Sequence, residues 1–122
     1  MKDIKPTESE LEILNVIWSK GKATVREVHD VLEARKQSGY TTTLKLMQIM
    51  TEKGILEREV SGKSHVYTSA IKREDAQDQL LQRLIDNAFS GSASQLVMQT
   101  LGHHKSTPEE LDAIRNYLKT LK

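Results

Sequence analysis

The chain has 122 residues, 37% hydrophobic and 29% charged, with one Trp, one Phe and three Tyr. That makes one medium domain, or one small domain plus an appendage, with a lean core that another chain is expected to complete. The absence of cysteine excludes disulfides, thiolate nucleophiles and Cys-type zinc sites and fits a reducing cytoplasm, while a formal net charge of +1 says little about partners until its distribution along the chain is read.

Met1-Lys2-Asp3 leads directly into a capped helix, so no signal peptide is expected, and no apolar run has transmembrane length. Pro6 precedes Thr7-x-x-Glu10, a capping box whose side chains satisfy two orphan N–H groups. Leu11, Leu14, Ile17 and Trp18 follow at helical spacing until Gly21. A second helix repeats the device with Thr24-x-x-Glu27 and buries Val28, Val31 and Leu32; polar Arg35 to Gly39 ends it. Two short capped helices joined by a Gly-containing turn form the front half of a helix-turn-helix.

The third helix ends at Gly54. At 100° per residue, Thr43, Leu46, Met47 and Met50 share the face expected to pack on the first two helices. Thr41, Lys45 and Gln48 lie opposite, with Glu52 one turn on and Leu44 and Ile49 flanking. Hydroxyls, an amide and a cation near the N-terminal half of a helix are the groups that read base edges in a DNA major groove. Thr41 and Thr42 are expected near a phosphate or a thymine methyl.

Ile55 to Val60 and His65 to Ala70 read as two strands of a hairpin with a longer loop at Ser61-Gly62-Lys63-Ser64. Arg58, Lys63 and His65 sit where a wing would run along the phosphate backbone, positioning the protein without reading sequence. Residues 36–73 carry seven basic against three acidic side chains, a local net of +4 in a near-neutral protein. Such a distribution suits a sequence-specific binder of double-stranded DNA.

From Lys72 the character changes. Asp75 to Phe89 is amphipathic, with Leu80, Leu81, Leu84, Ile85, Ala88 and Phe89 in one stripe. Ser90-Gly91-Ser92 breaks it; Leu96, Val97 and Leu101 form a second stripe, and Gly102 to Lys105 reads as a loop. Thr107-Pro108-Glu109-Glu110 opens a last helix with Leu111, Ile114, Leu118 and Leu121 on one face. About 50 residues without a disulfide do not sustain their own core, so an identical partner chain is the expected staple. The reading is mostly α with a small β-hairpin: a winged helix-turn-helix over residues 1–71 and a three-helix dimerisation region over residues 72–122.

Taken in order, these residues resemble the penicillinase repressor family (BlaI/MecI/CopY type) over essentially the whole chain, Thr7 to Leu121. The resemblance rests on Thr7-x-x-Glu10-x-x-Ile13-x-x-Val16-Ile17-Trp18, on Tyr40-Thr41-Thr42 before the recognition helix, and on Lys53-Gly54-Ile55-Leu56-x-Arg58, Gly62-Lys63 and Tyr67. It implies a homodimeric transcriptional repressor on a dyad-symmetric operator. In members paired with a membrane-bound sensor metalloprotease, proteolysis in the C-terminal region breaks the dimer and releases the DNA. The beta-lactam-responsive relatives are cut at an Asn-Phe bond, with which Gln99-Thr100 aligns here. The family often has Thr at Lys45 and Arg at Ile49, which implies a different operator. Copper-responsive relatives bind metal through C-terminal cysteines, and this chain has none.

No phosphate loop, nucleophile motif or carboxylate pair in an apolar cleft supports an enzyme, so no catalytic residue, cofactor, metal or small-molecule substrate is expected. His103-His104 are adjacent loop residues that point apart, without a third ligand near in sequence. The competing reading is a winged helix used only for protein–protein contact.

Overall fold

The computed structural model describes residues 6–121. Its elements are α1 (Glu8–Lys20), α2 (Val25–Glu33), α3 (Tyr40–Glu52), β1 (Leu56–Ser61), β2 (Ser64–Ser69), α4 (Arg73–Ala88), α5 (Ala93–His103) and α6 (Pro108–Thr120). They fall into two compact units that divide between Leu80 and Leu81, within α4.

The first unit is three helices and a hairpin around one core, the winged helix-turn-helix arrangement. Thr7 and Thr24 cap α1 and α2 with both hydrogen bonds of each capping box in place. Gly21 closes α1 at φ 86°, its N–H reaching Ile17 O at 2.7 Å; this is a left-handed conformation that a Cβ disfavours. The expected inward face of α3 is inward: Thr43, Met47 and Met50 are buried among Ile13, Leu14, Ile17, Val28 and Leu32. Tyr40 to Thr42 form the first turn of α3 rather than preceding it. Gly39 is the N-cap and supplies no side-chain bond.

The strands pair antiparallel from Leu56↔Ser69 to Ser61↔Ser64, one residue off the expected limits. The hairpin loop is shorter than expected. Gly62 and Lys63 alone turn the chain, with Gly62 at φ 64°. A positive φ at the first central residue only is the signature of a type II′ turn, whose twist matches that of the strands. A third piece of sheet has no counterpart in the sequence reading. Ala23, between α1 and α2, exchanges both backbone hydrogen bonds with Tyr67 (3.0 and 2.8 Å). After the hairpin, Trp18 Nε1 donates to Ile71 O at 3.2 Å and Arg73 lies 5.8 Å from the Trp18 ring, which fixes the start of α4 against α1.

The second unit, residues 81–121, holds the end of α4 with α5 and α6. Ser90 (φ 50°) and Gly91 (φ 84°) stop α4, and Ser92 caps α5 through Gln95 N. α5 continues through Gly102 to His103, correcting the expected loop there. Thr107 and Glu110 form the capping box of α6. Among the described residues of this unit none is buried. Leu81, Leu84, Val97, Leu118 and Leu121 are about half exposed, and Ile85, Phe89, Leu96 and Ile114 are half-buried. No described helix is long and apolar enough to cross a membrane.

Candidate nucleic-acid interface

The surface opposite the core of α3 carries the residues that the sequence singles out. Thr41, Thr42, Lys45 and Gln48 are exposed, as are Arg58, Lys63 and His65 on the hairpin. The backbone gathers them into two concavities. One, with a cavity volume of ≈ 300 Å³, is lined by Thr24, Val25 and Arg26 at the start of α2, Tyr40 and Leu44 of α3, and Lys63 to His65 with Tyr67 of the hairpin. The other is a groove of ≈ 480 Å³ lined by Ser9, Thr41, Thr42, Lys45, Leu46 and Ile49. Gln48 and Arg58 line neither. Arg58 stands directly across from buried Tyr67 in the register, and Val60 across from His65, so His65 and Arg58 share the hairpin face that meets the helices.

Arg26 is a residue that sequence reasoning missed. Its guanidinium lies 4.4 Å from the centroid of the Tyr40 ring, a cation–π contact that holds the charge at the rim of the first cavity. Tyr40 also meets His29 edge-on at 5.6 Å. The only signal in the sequence was a cation two residues after a helix cap, which is commonplace; its partner is fourteen residues away on another helix.

Of the basic residues in the +4 segment, two are spent inside the protein. Lys36 Nζ bonds Glu12 at 2.9 Å and Lys53 Nζ bonds Glu10 at 2.8 Å. Lys45 and Lys63 have no ion-pair partner among the described residues. The Glu10 carboxyl is almost wholly enclosed. Burial raises its pKa, but the hydrogen bond from Lys53 and those of Thr7 oppose it and prevail, holding it below the usual carboxylate value. The pair joins the first turn of α1 to the C-cap of α3, so it fixes the helix that carries Lys45 and Gln48.

His29, Asp30 and Glu33 place their ligand atoms within 4.8 Å of one another on α2. His29 Nε2 sits 3.2 Å from Glu33 Oε2, one helical turn on, a contact that an ordinary imidazole–carboxylate hydrogen bond explains. His103 and His104 belong to no such group among the described residues.

A family model described as penicillinase repressor matches residues 6–120. The methicillin resistance regulatory protein MecI of Staphylococcus aureus (strain N315) is 22% identical over 112 residues, 92% of this chain and 91% of that protein. The penicillinase repressor of Staphylococcus aureus is 21% identical over 120 residues, 98% of this chain and 95% of that one. The transcriptional regulator BlaI of Mycobacterium tuberculosis (strain CDC 1551 / Oshkosh) is 25% identical over 113 residues, 92% of this chain and 81% of that one. The solution structure of the DNA-binding domain of the repressor BlaI superposes with a TM-score of 0.54 at 29% identity, covering 62% of this chain and 93% of that domain.

Proposed function

We propose, from the premise that this chain belongs to the penicillinase repressor family, that it is a homodimeric repressor reading a dyad-symmetric operator in the bacterial cytoplasm. DNA-binding transcriptional repression is the function of the family, and no enzymatic role accompanies it. The observation that carries the finer reading is the outward face of α3. Its side chains are exposed, its cation Lys45 has no ion-pair partner among the described residues, and its N-terminal turn opens beside the hairpin residues Lys63 and His65. In this reading Lys45 and Gln48 meet base edges, with Thr41 and Thr42 at a phosphate or thymine methyl. Arg58, Lys63 and His65 meet the sugar–phosphate backbone. Residues 1–71 form the DNA-binding domain and residues 72–122 the dimerisation region.

Dimerisation is supported by the bareness of the second unit. Leu80, Leu81, Leu84, Ile85 and Phe89, then Leu96 and Val97, then Leu111, Ile114, Leu118 and Leu121 make apolar stripes at helical spacing, yet no described residue of 81–121 is buried. Helices this short bury too little on their own to offset chain entropy, and a second copy offers the same stripes. Release would follow a cut by a membrane-bound sensor metalloprotease between Ser90 and Leu101, where Gln99 and Thr100 are both exposed.

Selection of bound sequences from random DNA by the full chain should return a palindrome, and binding to it should weaken steeply with salt as phosphate counterions are released. Sedimentation at micromolar concentration should give about twice the chain mass, and Leu84→Asp should give monomers. A pool that shows no enrichment, or a stable monomer of the unaltered protein, contradicts the reading.

A further inference from the structure

The groove along α3 holds an exposed apolar side chain that neither the core nor the polar reading of this helix uses. Ile49 is 37% exposed and stands one turn after Lys45, which itself stands one turn after Thr41. These three form a single i, i+4, i+8 ridge. Beside the ridge runs the ≈ 480 Å³ groove, whose walls add Leu46 and the methyl-bearing Thr42. Isolated exposed aliphatics are common and require no explanation. Here the aliphatic is the wall of a concavity that also holds Lys45, the cation of the recognition helix, which has no ion-pair partner among the described residues.

We propose that Ile49 is a specificity-determining residue that receives the 5-methyl group of a thymine in the operator. The inference rests on the DNA-reading role of α3 given above and names what one position of that face reads. Among the groups that base pairs present in the major groove, the thymine methyl is the apolar one, and every other is a hydrogen-bond donor or acceptor. An aliphatic wall therefore has one complementary base. Lys45 on the same ridge supplies the attraction to DNA that a bare apolar groove lacks, and it sets this surface apart from a protein-docking patch. A polar base edge against Ile49 would lose its water without gaining a hydrogen bond, so the same side chain also disfavours cytosine there.

Deoxyuridine differs from thymidine by that methyl alone, so the experiment replaces the thymines of the selected operator one at a time. Full-length protein and its Ile49→Ala form are titrated by fluorescence anisotropy. Burying one methyl is worth about a four-fold change in affinity. One symmetry-related thymine position should weaken the unaltered protein by about that factor per half-site. Ile49→Ala should bind thymine and deoxyuridine there equally, with circular dichroism confirming its fold. The assignment is overturned if no thymine replacement costs more than two-fold, or if the cost persists in Ile49→Ala and vanishes instead in Thr42→Ala. Those failures leave a bound operator in hand and touch this inference alone, whereas a pool without enrichment removes the DNA reading and the inference with it.

Discussion

Lys53→Ala tests the internal frame of the DNA-binding unit. Glu10 is 2% exposed; its Oε1 accepts from Thr7 N–H at 2.9 Å and its Oε2 from Lys53 Nζ at 2.8 Å. Removing the lysine leaves a buried carboxylate with half its partners. Stripping one partner from a fully buried pair costs about 3–5 kcal/mol. The Lys53 side chain is 46% exposed and the Thr7 bond survives, so the loss of one charge-assisted hydrogen bond, about 2 kcal/mol, is the better figure. Glu10→Gln keeps the shape and the acceptor for Thr7 while removing the charge, and should cost less than about 1 kcal/mol. A surface bridge would make both changes nearly silent.

The pH dependence follows from the same contacts. The folded carboxyl lies below its unfolded value, so its stabilisation is complete above the ordinary carboxylate range and is lost as pH falls through the folded pKa. Without Lys53 burial is opposed by Thr7 alone and the folded pKa rises. The variant therefore has less to lose in acid, and its deficit against the unaltered protein narrows from pH 7 to pH 4. Urea unfolding followed by the fluorescence of Trp18, the chain's one tryptophan, reads this directly. A deficit of about 2 kcal/mol moves the midpoint by roughly 1–2 M. Equal midpoints for Lys53→Ala and Glu10→Gln, or a deficit that does not change with pH, would refute the reasoning.

Gln48→Ala should relax preference at one operator position at a cost of about 1–3 kcal/mol. Lys63→Ala should weaken all sequences alike and lower the salt slope by about one; the opposite pattern would exchange the two roles. A chain ending at Phe89 should keep a folded DNA-binding unit by circular dichroism but bind a full operator at least about 100-fold more weakly, since half-sites bound by linked domains gain roughly 10²–10⁴ in avidity. Equal affinity would separate DNA binding from the C-terminal region. Arg26→Lys, which keeps the charge but loses the guanidinium fork held 4.4 Å from the Tyr40 ring centroid, should weaken DNA binding two-fold or more by anisotropy if the first cavity takes a phosphate, and leave it unchanged if not.

What was legible in the sequence was what local chemistry dictates. Three capping boxes announced α1, α2 and α6 because their bonds span three residues. The 100° sorting of α3 separated Met47 and Met50 from Lys45 because one face is buried. Features made by distant pairs left no such mark. Glu10 reads as a capping partner, and its second bond comes from a lysine 43 residues on. Ala23 has no strand pattern because a one-residue bridge has no periodicity. The hairpin loop looked long because Ser61 and Ser64 resemble loop residues, yet both pair. Gly102 to Lys105 reads as a loop, but α5 carries on for one residue past Gly102, since a glycine weakens a helix by only about 1 kcal/mol.

The Ala23–Tyr67 bridge has a consequence for where this fold tolerates added chain. The hairpin tip at Gly62-Lys63 is exposed and bonded only to itself, so extra residues there lengthen the wing and leave its base in place. The four-residue passage from α1 to α2 has no such slack. It leaves α1 at a left-handed glycine, places Ala23 in register with Tyr67, and must then present Thr24 as the cap of α2. One inserted residue would break either the bridge or the cap. Length variation in proteins of this build should accumulate at the tip of the wing and be nearly absent from the turn beneath it.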